Sequence, residues 1–336
     1  MKVIIPIAGC GTRLRPLTYG IPKPLLPCAG NTVLGWIFKS ISFLSASEII
    51  MVIGYKGNEI REWVERLYPK LLIRWVVQKE ARGLGHAIWT GGKEISLDED
   101  ILIYLGDTIF DADWERIQSG EDNLIAVREV EDPRRFGVVK IEDGKVVDMV
   151  EKPTHPPSNL AILGLYYIKK WGSLYPYLNY LVEEDIKTGG EHQLTDGLRL
   201  MIEKENITLK VIPVKGWFDC GTKKNLLETN AALLKNYLED KMNKDWIKSP
   251  SYIANSAEIK DSEIGPYVSI GENSVVKDSI VTNSIIGSEV EVSNSRLFNS
   301  IIGNRAKIKN AEGSFIIGCN AIISSQRRIS EKDNYK

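Results

Sequence analysis

Histidine, cysteine and net charge are what this 336-residue sequence has least of: three histidines, four cysteines, and 43 Lys plus Arg against 44 Asp plus Glu, a formal net charge of −1. So even a balance argues against a dedicated nucleic-acid binder, which carries a basic excess. Cys10, Cys28, Cys220 and Cys319 stand far apart and form no CxxC pair. That argues against a zinc site or a disulfide scaffold and points to a reducing cytoplasm. His86, His155 and His192 have no metal-ligand spacing and read as polar packing or surface residues. No apolar run approaches the roughly 18 residues that span a bilayer. The opening MKVIIPIAGCGTR is broken too soon for a secretory signal. The expectation is a cytoplasmic protein with neither membrane nor nucleic acid as partner. What is present is 43% hydrophobic and 26% charged residues, a globular composition, in a length that suits two domains or one with an appendage.

The first 110 residues alternate two textures. Lys2–Ala8, Glu48–Gly54, Leu71–Gln78 and Ile101–Gly106 are Val/Ile-rich runs that read as buried strands. Between them, Val33, Leu34, Ile37, Ile41 and Leu44 share a helical face, capped by Asn31 or Thr32, and Ile60, Trp63, Val64 and Leu67 share another. Such alternation predicts βαβ units and a mostly parallel, Rossmann-like sheet. Further on, Phe136–Ile141 and Lys145–Val150 flank Asp143-Gly144, a hairpin signal. Ala161–Ile168 and Ile207–Val214 read as strands and Gln193–Glu203 as a helix. Leu226, Leu227, Asn230, Leu233, Leu234, Tyr237 and Leu238 form a long helical stripe that runs into a polar stretch closed by Ser249-Pro250.

After Pro250 the helix signals stop. Gly271, Gly287, Gly303 and Gly318 are spaced 16, 16 and 15 apart, and Asn283–Gly287 recurs as Asn299–Gly303. Asp261, Asp278 and Asn294, each followed by serine, march at 17 and 16. Ile253, Ile259, Ile264, Ile270 and Val276 recur every five or six positions. This hexad-like period marks a parallel β-helix with aliphatic positions stacked inward, in the triangular left-handed form with three strands per rung and about four rungs. A β-sandwich of short strands leaves the regular glycines unexplained. The expected division is a catalytic domain at 1–235, a helical linker at 236–250, the β-helix at 251–325 and a charged tail at 326–336.

Chemistry-bearing residues cluster at strand ends. The first strand runs into Gly9-Cys10-Gly11-Thr12-Arg13, followed by Pro22-Lys23-Pro24. A glycine-rich turn there brings backbone amides to phosphate oxygens. It lacks the third glycine of the dinucleotide fingerprint and the Gly-Lys-Ser/Thr of a Walker loop. Prolines on both sides restrict Lys23. Asp107 ends an apolar strand, where a carboxylate can hold Mg²⁺ or cap a turn. Asp219 follows Trp217-Phe218 in a similar setting. Glu151-Lys152 alone reads as a surface ion pair.

Together these residues resemble the signature of sugar-1-phosphate nucleotidylyltransferases. The resemblance runs in order through Gln78 and Gly83-Leu84-Gly85-His86-Ala87, Leu105-Gly106-Asp107, Phe136-Gly137-Val138-Val139 and Glu151-Lys152-Pro153. It continues through Gly164-Leu165-Tyr166-Tyr167, Glu191 with Thr195-Asp196, and Trp217–Thr222. It covers residues 1–235 and is nearest to glucose-1-phosphate thymidylyltransferases of the long type, in which a β-helix follows. The resemblance implies that Ala8, Gly9, Gly11 and Thr12 hold the nucleotide, Gln78 and Gly83 the pyrimidine edge, and Arg13 and Lys23 the phosphates. It implies Mg²⁺ on Asp107 and Asp219. It also implies a sugar-phosphate pocket of Gly137, Glu151 and Lys152, with Asn159 and Glu191 as further members.

The implied reaction joins a nucleoside triphosphate, dTTP favoured, to a sugar 1-phosphate, glucose 1-phosphate favoured. An ionised phosphate attacks, so no general base is needed and few histidines are expected. Thr108 stands where thymidylyltransferases often carry Asn, and Gly83–Ala87 looks like the uridylyltransferase loop, so UTP is the alternative. An acyltransferase activity of the β-helix is disfavoured, since residues 250–336 hold no histidine base. A non-catalytic nucleotide-sugar sensor is disfavoured by the full set of charged residues. Flat β-helix faces suit a homo-oligomer.

Overall fold

A computed structural model describes residues 1–205, 207–212, 214–237 and 245–325. The expected tail at 326–336, Leu238 and the centre of the expected linker lie outside them. The chain divides into two compact units, each built from separated stretches. The first is Met1–Gly9 with Trp36–Trp217, and the second is Cys10–Gly35 with the chain from Phe218 onward.

The first unit is organised by a nine-stranded sheet. In chain order its strands are β1 (Lys2–Pro6), β2 (Glu48–Ile53), β3 (Ile73–Val77), β4 (Ile101–Tyr104), β5 (Asn123–Glu129), β6 (Gly137–Glu142), β7 (Lys145–Glu151), β8 (Leu160–Ile168) and β9 (Leu209–Ile212). Their spatial order is β3-β2-β1-β4-β8-β5-β9-β7-β6, with β6 also touching β8. The sheet is mixed, which corrects the expectation of a mostly parallel one. β3, β2, β1 and β4 run parallel, whereas β8 runs antiparallel to β4 and β5, and β7 to β6 and β9. Part of the reason lies in the connections: helical crossovers join β1 to β2, β2 to β3 and β3 to β4, whereas a tight turn joins β6 to β7 and makes that pair antiparallel. Asp143 and Gly144, at φ 48° and 75°, make the β6–β7 turn that the Asp-Gly signal predicts. β5, which the sequence reading missed, sits between β8 and β9.

Valine and isoleucine dominate β1, β2 and β4 because helices cover them. Ile4, Ile50 and Ile103 are fully buried in one cluster with Ile88, Trp171, Leu198 and Met201. The helices α1 (Gly57–Leu67), α2 (Leu84–Gly92) and α3 (Leu194–Glu205) present their apolar stripes inward.

The second unit carries helix α4 (Lys223–Tyr237) and three parallel sheets of short strands. Among the described residues two sheets have five strands and one has four, so four complete rungs are followed by part of a fifth. Ser251 pairs with Val268, Ser269 with Ile285, Ile285 with Ile301 and Ile301 with Ile316, rises of 17, 16, 16 and 15 residues per rung. Ile253, Ile264, Ile270 and Val276 are buried in one cluster, with Ile259 packed against it. The corners take left-handed backbone: Asp261, Asp278, Asn294 and Asn310 have φ of 45°, 48°, 47° and 55°. Asx residues tolerate that region best after glycine, which explains the marching Asp/Asn of the repeat. Buried serines line the rungs: Ser295 Oγ accepts from Ala311 N at 3.1 Å and donates to the Ser293 carbonyl at 2.8 Å. No helix among the described residues is long and apolar enough to cross a membrane.

Candidate active site

In the first unit the carboxyl ends of β1 and β4 lie side by side, the position at which open α/β sheets receive ligands. β1 leads into Ala8 and Gly9, β4 into Asp107. Two glycines let these ends close up. A Cβ on Gly54 would lie 2.8 Å from the Ala8 carbonyl oxygen, and one on Gly106 would strike the Ile7 side chain. Tyr55 N donates to the Ala8 carbonyl at 3.2 Å, pinning that turn. A Cβ on Gly9 would meet nothing within 4 Å, so its backbone faces open space. Asp107 is half-buried, and its Oδ1 accepts from Thr108 Oγ1 at 3.3 Å.

Two further groups stand in the same unit. Gly137, Glu151 and Thr195 converge: a Cβ on Gly137 would lie 2.9 Å from Glu151 Oε2 and 3.1 Å from Thr195 Oγ1. Thr195 Oγ1 donates to Glu151 Oε2 at 2.7 Å, and Lys152 Nζ lies 3.4 Å from Glu151 Oε1. Lys152 has φ 42°, a left-handed turn at the end of β7. Burial, then the Glu151 carboxylate, raises the Tyr166 pKa. Trp217 Nε1 and Asp196 Oδ2 are buried without a hydrogen-bond partner among the described residues, next in sequence to this unit's edge and to Thr195. Asn159 is exposed and donates to Glu129, not to this group.

The other group surrounds Gln78 and Gly83. Gly83 has φ 104°, and a Cβ there would lie 2.8 Å from Glu191 Cβ and 2.6 Å from the His192 carbonyl oxygen. Glu191 therefore sits beside Gly83. Gln78 Nε2 donates to the Gly83 carbonyl at 3.2 Å and stands 3.0 Å from His86 Nδ1. His86 and His192 are 8% and 0% exposed. The sequence reading left them as polar packing or surface residues; nothing in the spacing of Gln78 and His86 marks them as partners.

In the second unit the glycine-rich turn gathers charge. Gly11 has φ 62° and opens the 3-10 turn Thr12–Leu14. Leu14 is fully buried, while Thr12 and Arg13 are exposed. A Cβ on Gly11 would lie 2.9 Å from Thr18 Cγ2 and 3.1 Å from Lys23 Cβ. A Cβ on Gly221 would lie 2.9 Å from Asp219 Oδ1 and 3.0 Å from Arg13 Nη2. Arg13 and Asp219 thus meet over Gly221. Asp219 Oδ1 accepts from Gly221 N at 2.7 Å and Oδ2 from Asn225 Nδ2. Each oxygen keeps a lone pair for a cation. Among the described residues no three His, Cys, Asp or Glu side chains could hold a metal by themselves. One or two carboxylates suit Mg²⁺, which completes its shell with phosphate oxygens and water.

The family model described as nucleotidyl transferase matches residues 2–236. The chain is 29% identical over 333 residues to the low-salt glycan biosynthesis nucleotidyltransferase Agl11 of Haloferax volcanii, covering 87% of this chain and 89% of that protein. It is 27% identical over 332 residues to a glucose-1-phosphate thymidylyltransferase of Streptomyces antibioticus, with the same coverage of 87% and 89%. A solved UDP-glucose pyrophosphorylase complexed with UDP-glucose superposes with a TM-score of 0.60 at 26% identity, over 70% of this chain and 98% of that one.

Proposed function

Since the chain belongs to the nucleotidyl transferase family, we propose that it joins a nucleoside triphosphate to a sugar 1-phosphate, releasing an NDP-sugar and pyrophosphate. The observation that carries this reading is the charge gathered at the glycine-rich turn: Lys23 against Gly11, and Arg13 with Asp219 over Gly221. Two polyanions repel, and cations fixed in advance offset that repulsion without reorganising during the reaction. An oxygen of the sugar phosphate attacks the α-phosphorus in line, and pyrophosphate departs. That oxygen is already ionised at neutral pH, so no side chain need remove a proton.

Arg13 neutralises the triphosphate and Lys23 the departing pyrophosphate. Ala8, Gly9, Gly11 and Thr12 carry the nucleotide, and Gln78 and Gly83 its base. Glu151, set by Thr195, orients sugar hydroxyls over Gly137, with Lys152 on the sugar phosphate. Asp107 and Asp219 are the residues that would hold Mg²⁺, which supplies charge neutralisation at the phosphates when bound. The thymidylyltransferase relative supports dTTP with glucose 1-phosphate. UTP is the second reading, supported by the Gly83–Ala87 loop and by the UDP-glucose pyrophosphorylase neighbour. Residues 1–235 are assigned the chemistry. The β-helix, read as left-handed, is assigned assembly of a cytoplasmic homo-oligomer.

The test crosses five nucleoside triphosphates with glucose-, galactose-, mannose- and N-acetylglucosamine 1-phosphates, with Mg²⁺ supplied or withheld, and reads pyrophosphate. Lys23→Ala and Asp107→Asn are expected to lower kcat by about a hundredfold or more, the scale of a lost transition-state contact, with unchanged thermal unfolding. Full activity in both variants refutes the assignment.

A further inference from the structure

The Gln78 amide is held by both of its hydrogens. A backbone carbonyl only accepts, so the amide atom 3.2 Å from the Gly83 oxygen is the nitrogen. The second hydrogen points to His86 Nδ1 at 3.0 Å. His86 Nδ1 therefore accepts, and the ring proton sits on Nε2. No hydrogen bond from a described residue ends on Gln78 Oε1, which can only accept. The ring itself is fixed: it packs on Trp89 with centroids 5.5 Å apart and on His192 at 6.2 Å. His192 Nδ1 donates to the Ile186 carbonyl at 2.9 Å, and Gly85 N donates to the His192 carbonyl at 2.8 Å.

We propose that His86 is a positioning residue for base choice. By taking the second amide hydrogen of Gln78, it presents Oε1 as an acceptor to the N3–H that uracil and thymine share. Cytosine carries an acceptor at N3, so it meets lone pair against lone pair. The inference rests on the reading above that Gln78 faces the base. It also explains why two different pyrimidine triphosphates stay open as substrates, since the 5-methyl group plays no part in this contact.

His86 must be neutral to accept. Burial lowers its pKa below the ordinary 6.5, and the neighbouring Arg82 and Lys93 cations lower it further against an opposing Glu80. The accepting form therefore persists at neutral pH. It is lost as pH falls through the lowered value, when Nδ1 becomes a donor facing the Gln78 donor.

The experiment measures kcat and KM for UTP, dTTP and CTP, with glucose 1-phosphate, in the wild type, His86→Phe and His86→Asn. Phenylalanine fills the ring's place without an acceptor, whereas the asparagine carbonyl can stand near Nδ1. Loss of one orienting hydrogen bond in His86→Phe is expected to raise KM for UTP and dTTP about tenfold and to cut the preference over CTP equally. kcat is expected to move less than about threefold, and His86→Asn to recover most of the preference. Unchanged selectivity in an active His86→Phe overturns the proposal. So does a collapse of kcat at constant KM, which would put His86 in the chemistry. If His86→Phe does not fold, the pH profile decides: the UTP KM is expected to climb at acid pH in the wild type and not in His86→Asn, and equal climbs overturn the proposal. A wild type that releases no pyrophosphate from any substrate pair sinks the assigned reaction, and this inference with it.

Discussion

At the scale of single residues, small side chains decide where the charged ones point. Glu151 is only 13% exposed, and its position depends on the Thr195 hydroxyl and on the missing side chain of Gly137. Thr195→Val keeps the shape and removes the donor. Because the abandoned carboxylate oxygen is largely buried, about 1–3 kcal/mol of orientation is lost. We expect the sugar 1-phosphate KM to rise about tenfold, with the nucleotide KM nearly unchanged; steady-state kinetics with each substrate varied in turn would show it. An equal rise in both would mean that Thr195 supports the fold rather than the sugar pocket.

At the scale of elements, the repeat of the second unit is held by polar side chains as well as by its aliphatic core. Ser295 is 7% exposed and bonds both to its own rung and to the next. Ser295→Ala leaves the Ala311 N–H without its acceptor, at a cost of about 1–3 kcal/mol. Urea unfolding followed by circular dichroism should register that loss. Asn283 Nδ2 donates to Asn299 Oδ1 at 2.7 Å, and Asn294 to Asn310 at 2.7 Å, so the corner asparagines also form ladders. In the first unit the equivalent control lies in the turns. The Asp143-Gly144 turn sets the β6–β7 register next to it, and a shift of one residue between Val146 and Asp148 then brings Gly137 opposite Glu151. A tight turn and a register shift thus place the Glu151 carboxylate.

At the scale of the molecule, the second unit joins stretches far apart in sequence. Asn230, fully buried on α4, ties three of them together. Its Oδ1 accepts from Ala29 N at 2.8 Å and from Ser269 Oγ at 2.7 Å, while its Nδ2 donates to the Tyr267 carbonyl at 3.2 Å. Nearby, Gly30 faces the Tyr252 ring, and Gly20 faces Cys319 at the far end of the β-helix. The stretch that carries Arg13 and Lys23 is therefore braced by β-helix rungs within one unit. Asn230→Leu strands two buried polar groups, Ala29 N and Ser269 Oγ, and the half-buried Tyr267 carbonyl, and is expected to cost about 3 kcal/mol or more, lowering the thermal midpoint. It should also reduce kcat/KM for the triphosphate at temperatures where the variant stays folded. A midpoint within error of the wild type would show that the knot contributes nothing.

The sequence by itself determined the elements whose signals are local. Val/Ile runs, the Asp-Gly turn, the leucine stripe of α4 and the 15-to-17-residue period each follow from side-chain spacing, because neighbouring residues must bury the same face. The motif residues were legible for the same reason, since glycines beside charged groups at strand ends announce a ligand. Only the tertiary structure decided the mixed order of the sheet, the place of β5, the company of Glu191 and Gly83, and the grip of His86 on Gln78. Each depends on residues brought together from separate segments. Hydrogen bonds and close approaches across such separations leave no period in the chain, so packing alone selects them.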